Sequence, residues 1–221
     1  MNKNLTEIAY ILDRSGSMQP LVESAISGFN QFLADQREAP GQATLSLVLF
    51  DDEHLVPQNR VPIDNVPPLD TRTYIPRGST ALLDSIGITI DAIGRRLAKL
   101  PEEDRPGHVV IAIFTDGMEN ASRQFTLGDI EQKIRHQRDK YGWEFLFLGA
   151  NQDAIATAAS MGIGADSAVT YHASASGQER SNKVLSDAIL YSRRKLQEGE
   201  SVHEKEVTLS QRYQAEEDNE S

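Results

Sequence analysis

Cysteine is absent from this 221-residue chain, so disulfides, thiolate metal sites and thiol nucleophiles are excluded at once. Nor is there an unbroken apolar stretch near the 18 residues that a membrane-spanning helix needs. The opening Met1-Asn2-Lys3-Asn4-Leu5-Thr6-Glu7 lacks the apolar core of a secretion signal. These absences set the expectation of a cytoplasmic protein with no membrane contact. Positive charge is scarce too, with 22 Lys and Arg against 33 Asp and Glu for a net charge of −11. From residue 198 onward, eight acids (Glu198, Glu200, Glu204, Glu206, Glu216, Glu217, Asp218, Glu220) face only Lys205 and Arg212. The acidity is therefore concentrated in a tail, and no basic face for nucleic acid emerges elsewhere. Phosphate-binding G-x-x-x-x-G-K-[ST] and nucleophile-elbow G-x-S-x-G motifs are missing. The five histidines (54, 108, 136, 172, 203) show no metal-ligand spacing.

What is present is an ordinary globular composition, 39% hydrophobic and 25% charged, long enough for one α/β domain. Residues 1–197 read as that domain and 198–221 as an acidic tail, disordered or a loosely docked helix. Apolar runs at 5–12, 43–50, 109–114, 145–148 and 168–171 read as strands, with 109–114 central. Pro57 and Pro62 suit the weaker run 55–63 to an antiparallel edge strand. Helical spacing marks 20–36, with Pro20 in its first turn, the stripe Ile86-Ile90-Ile93-Leu97-Leu100, the set Leu127-Ile130-Ile134, residues 153–161 and a last helix over 179–196. Strands alternating with helices imply a doubly wound, mostly parallel six-stranded sheet with one antiparallel edge strand and helices on both faces.

The stretch that organises this plan is Asp13-Arg14-Ser15-Gly16-Ser17, which closes the first strand and opens the first helix. Open α/β sheets place ligands at such strand ends. A carboxylate and two hydroxyls on alternate residues are hard oxygen donors, suited to Mg²⁺, Mn²⁺ or Ca²⁺ over zinc or copper. Two further strand-end or helix-start segments supply partners: Gly78-Ser79-Thr80-Ala81-Leu82 and Phe114-Thr115-Asp116-Gly117.

The order D-x-S-x-S, G-x-T-x-L, then a strand ending in T-D-G resembles the metal-ion-dependent adhesion site of von Willebrand factor A (VWA) domains, over roughly residues 5 to 195. The resemblance implies that Ser15 and Ser17 bind a divalent cation through their hydroxyls and that Thr80 adds a third, directly or through water. Asp13 and Asp116 would hold coordinated waters. It further implies Mg²⁺ first, with Mn²⁺ or Ca²⁺ as alternatives, and an open position that a partner protein's acidic residue fills. Single-domain members without a secretion signal are frequently intracellular bacterial or phage-related proteins, so an ATPase or an assembly component is the kind of partner implied. The competing local reading makes Ser15 and Ser17 helix caps and Asp116 the cap of its own turn.

Around this set, Asp51, Asp52 and His54 suit a solvated turn more than a rim, and Glu119 and Asn120, though near enough to touch a partner, suit a local role more. Asn151 and Asp153 suit helix capping, and Trp143 suits the core. The expected function is a metal-dependent protein-interaction module, not an enzyme. A metal-assisted hydrolase is the first alternative. Haloacid-dehalogenase-like phosphatases, however, need a second Asp two residues after the first, and Ser15 stands there. A scaffold subunit with an idle metal site is the second alternative.

Overall fold

A computed structural model describes residues 1–150, 153–200 and 207–219. Six strands, β1 (Asn2–Asp13), β2 (Gln42–Phe50), β3 (His54–Pro62), β4 (Pro106–Thr115), β5 (Glu144–Gly149) and β6 (Ala168–Thr170), form one sheet in the order β3-β2-β1-β4-β5-β6. All neighbours are parallel except β3, which runs antiparallel to β2 at the edge. Pro57 and Pro62 are tolerated there because one side of an edge strand has no ladder to complete.

The helices are α1 (Val22–Glu38), α2 (Leu82–Leu97), α3 (Leu127–Tyr141), α4 (Ala154–Ser160), α5 (Ala175–Glu198) and α6 (Leu209–Asn219). Side chains on a strand alternate between faces, so the apolar run of β1 feeds two cores. Ile8, Tyr10 and Leu12 pack with Phe29 and Phe32 of α1 and Val184, Leu185 and Ile189 of α5. Ala9 and Ile11 pack with Ile86 and Ile90 of α2 and Ile130 and Ile134 of α3. Trp143 is buried in that second core, as its sequence setting suggests. Thus β1 and β4 lie side by side at the middle, and the chain leaving each goes to opposite faces of the sheet. Their carboxyl ends flank the crevice where doubly wound sheets bind ligands.

Three departures from the sequence reading have a clear physical cause. Pro20 lies in a 3-10 turn, Gly16–Leu21, and the α-helix begins only at Val22. Proline lacks the N–H that an α ladder would use, and the tighter turn absorbs it. The last long helix starts at Ala175, four residues early, because the Ser174 side chain caps it by accepting from the Gly177 N–H. Residues 209–219 form α6, with Leu209 and Tyr213, four apart on one face, sunk into the core beside α5 and β6.

Candidate metal centre

Strand β1 delivers Asp13 to the crevice with its side chain fully buried. Its Oδ1 accepts the Ser15 N–H at 2.7 Å and its Oδ2 accepts the Thr115 hydroxyl at 2.5 Å, which ties the end of β1 to the end of β4. The Tyr74 hydroxyl donates to the Asp13 carbonyl at 2.6 Å and fixes the loop from the third side. Beyond Asp13, the Ser15 and Ser17 hydroxyls stand 3.1 Å apart, and Ser17 donates to Asp116 Oδ1 at 2.8 Å. Ser15 occupies the position before the 3-10 turn but its side chain makes no capping bond, so the helix-cap reading of this serine is not what the fold uses.

The third hydroxyl comes from across the crevice. Gly16 N–H donates to the Gly78 carbonyl at 3.2 Å and Arg77 N–H to the Arg14 carbonyl at 2.8 Å, so the two loops are stitched in parallel. Gly78 has φ +65°, a left-handed conformation that favours glycine, and a Cβ there would also displace the exposed Asp52 carboxylate. Thr80 is then gripped by Asn120, whose Oδ1 accepts the Thr80 N–H at 2.9 Å and whose N–H donates to the Thr80 carbonyl at 3.0 Å. Gly117 shows where these groups converge. A Cβ at that position would lie 2.8 Å from Thr80 Oγ1 and 3.4 Å from Asp13 Oδ2, so a space lined by both exists only because residue 117 has no side chain.

No family model matches the sequence, and no curated protein matches it. Solved structures do. Proximal thread matrix protein 1 from the mussel byssus, described with a zinc-occupied MIDAS motif (the adhesion-site motif), superposes with a TM-score of 0.57 at 16% identity, over 84% of this chain and 46% of that one. A von Willebrand factor type A protein from Catenulispora acidiphila gives 0.52 at 15% identity, over 86% and 43%. The ArnB paralog VWA2 from Sulfolobus acidocaldarius gives 0.52 at 19%, over 85% and 45%. The chain has the von Willebrand factor A fold. It spans less than half the length of each of these three proteins.

Within this VWA fold the five residues marked in the sequence, Asp13, Ser15, Ser17, Thr80 and Asp116, lie on the loops that meet at the crevice. Four of them are linked by the bonds above, and Thr80 joins them across Gly117. Burial pushes the Asp13 carboxyl up to about 6, against the pull of its bonds from Thr115 and Ser15. Asp116 is also raised, chiefly by burial, with the Ser17 hydrogen bond acting the other way. Neither carboxylate forms an ion pair among the described residues. The described residues also hold no group of three or more His, Cys, Asp or Glu able to bind a metal. A cation here would therefore be held mainly on hydroxyls, and the donor chemistry fits a hard divalent ion.

The neighbours of the site are mostly structural. Glu119 Oε2 accepts the Leu83 N–H at 2.9 Å and its Oε1 accepts the Ala121 and Ser122 N–H groups at 3.0 and 2.8 Å. It thus bonds the start of α2 to its own loop, as Asn120 does Thr80. Asp84 returns the favour by accepting the N–H groups of Arg123, Gln124 and Phe125. Asp51, read as part of a solvated turn, is fully buried. Asp52 is exposed, and His54 turns toward Ser85 Oγ at 3.3 Å. Asp153 sits at the N-cap of α4 without a side-chain capping bond, and Asn151 lies outside the described residues. Sequence reasoning missed Thr115, Tyr74 and Asn120 as the groups that hold the site. Thr115 at least carries a signal, since it stands between the strand and Asp116.

Proposed function

We propose that this chain is a divalent-cation-dependent protein-interaction module and not an enzyme. The observation that carries the reading is the convergence of three neutral hydroxyls with the buried Asp13 carboxylate and the half-buried Asp116 carboxylate, neither of which a cationic side chain satisfies among the described residues. Ser15, Ser17 and Thr80 would ligate the ion, and Asp13 and Asp116 would orient waters bound to it. Bound there, the ion supplies a Lewis-acidic position, and few charged ligands leave it avid for a carboxylate. An acidic side chain of a partner protein is the matching group, and a partner of the ATPase or assembly type in a bacterial cytoplasm is part of this proposal. No described helix is long and apolar enough to cross a membrane. Mg²⁺ is the ion proposed, with Mn²⁺ and Ca²⁺ as alternatives.

Isothermal calorimetry of the chelator-treated protein against Mg²⁺, Mn²⁺ and Ca²⁺ tests this, with Zn²⁺ added because of the zinc-occupied mussel relative. Saturable one-to-one binding that disappears in Asp13→Ala and in Ser15→Ala/Ser17→Ala supports the site. Absence of such binding with all four ions up to millimolar concentration defeats it in favour of a scaffold with an idle site.

A further inference from the structure

The cation reading raises an electrostatic difficulty that the fold itself answers. Arg14 stands inside the organising loop, between Asp13 and Ser15, and Arg77 precedes Gly78 on the loop stitched to it. Two guanidinium groups at a cation site are adverse in two ways. They repel a divalent ion, and they are well suited to pair with the carboxylates meant for it.

Both side chains are instead drawn to the end of β2. Asp51, fully buried, presents Oδ2 to Arg77 Nε at 2.9 Å and to Arg14 Nη2 at 2.9 Å. The Arg77 contact is a hydrogen bond, whereas the Arg14 contact lacks hydrogen-bond geometry and is Coulombic. Glu53 completes the set, pairing with Arg77 and standing 3.7 Å from Arg14 Nη2. Asp51 is itself held rigidly: its Oδ1 accepts the Glu53 N–H at 2.6 Å, and its carbonyl accepts the Ala81 N–H at 2.8 Å, one residue past Thr80. The result is a box of two cations and two anions, neutral in sum, against the wall of a site whose own acids remain unpaired.

We infer that Asp51 is a positioning and screening residue for the cation site, holding Arg14 and Arg77 away from Asp13 and Asp116 and cancelling their charge. The inference rests on the cation reading of the previous subsection. It makes Asp51 necessary to metal affinity without touching the metal, which distinguishes it from the five residues already assigned.

The test is a set of Mg²⁺ and Mn²⁺ titrations of the full chain at low and at high ionic strength. Asp51→Asn, nearly isosteric, unmasks one positive charge beside a divalent ion. In a largely aqueous dielectric this repulsion weakens binding about fivefold to tenfold at low salt. At about 1 M salt, where the Debye length is about 3 Å, the loss shrinks toward twofold. Arg77→Gln removes a cation and leaves the buried Arg14–Asp51 contact, so it strengthens binding about threefold at low salt even if Asp51→Asn fails to fold. The double variant Asp51→Asn/Arg77→Gln returns to within about twofold of the parent. A loss in Asp51→Asn that salt does not change, with no recovery in the double variant, overturns screening in favour of a purely geometric role. Unchanged affinity in Asp51→Asn and in Arg77→Gln overturns the inference while the metal site stands. A parent protein that binds no ion brings down the proposed function itself, and this inference with it.

Discussion

Strand β1 carries one buried carboxylate at its middle and one at its carboxyl end, and the two are treated in opposite ways. At the middle, Glu7 is 1% exposed and pairs with Arg96, with Arg60 at 4.0 Å. Close by at the starts of β4 and β5, His108 Nε2 lies 2.9 Å from Glu144 Oε2, which also accepts from Ser192 at 2.8 Å. At the carboxyl end Asp13, 0% exposed, meets only neutral donors, and burial raises its pKa. Removing an acid from water is costly unless a charge or several hydrogen bonds replace the lost hydration. A fold that meets this cost fully at the middle of a strand and incompletely at its carboxyl end has left the second place for something to bind.

The contrast breaks if the two acids respond alike to neutralisation. Glu7→Ala leaves Arg96 without its partner and is expected to cost about 3 kcal/mol of stability, read from urea unfolding in chelator. Asp13→Asn, under the same conditions, is expected to leave stability unchanged or to raise it. The amide removes an uncompensated charge, and the Thr115 hydroxyl can turn to accept from it. Equal destabilisation by both substitutions would mean that Asp13 is as well satisfied as Glu7, and the crevice would lose its claim to a ligand.

Two smaller effects separate what merely builds the domain from what shapes the crevice. Leu209→Ala, far from the site, removes a buried anchor of α6 and should cost about 2 kcal/mol. Metal affinity should not change. Glu119→Ala frees the N–H groups of Leu83, Ala121 and Ser122 and should cost about 1 kcal/mol. Here metal affinity should fall too, because Asn120 and its grip on Thr80 lie in the loosened loop. Hydrogen exchange over residues 119–125 would show the loosening directly.

Much of this was legible beforehand. The strands and helices follow from apolar runs and spacing, because the inner strands are buried on both faces and each long helix shows a clear stripe. The five hydroxyl and carboxylate residues could be marked because their spacing is local within three short motifs, and the fold brings them to one crevice. What holds them was not. The Asp13–Thr115 bond joins residues 102 apart in sequence, and the Thr80–Asn120 bonds join residues 40 apart. Asp51 misled for the same reason. Followed by Asp52 and Glu53 it reads as a solvated turn, and only the return of Arg14 and Arg77 to the end of β2 makes its burial possible. Helix α6 was half legible: Leu209 and Tyr213 have helical spacing, but the surrounding acids suggest solvent, and its dock is written in Arg180 of α5, which faces Glu217 at 2.9 Å and the Tyr213 ring at 5.2 Å.

The smallest effect sharpens the contrast at the carboxyl end of the sheet. His54 begins β3 opposite Phe50 and meets Ser85 Oγ, with no ion pair among the described residues. Partial burial lowers its pKa below the ordinary 6.5. Above pH 6.5 the ring is neutral whether the chain is folded or not, so its contribution is constant there. As the pH falls through 6.5 the unfolded chain takes up a proton that the folded chain resists, and stability is lost until the pH passes the folded value. His54→Gln should therefore flatten part of the fall in melting temperature between pH 7.5 and about 5.5 while changing little at the upper value. If the fall is as steep in the variant as in the parent, His54 is solvated well enough to charge freely. The incomplete satisfaction of ionisable groups would then belong to the crevice alone and not to this end of the sheet.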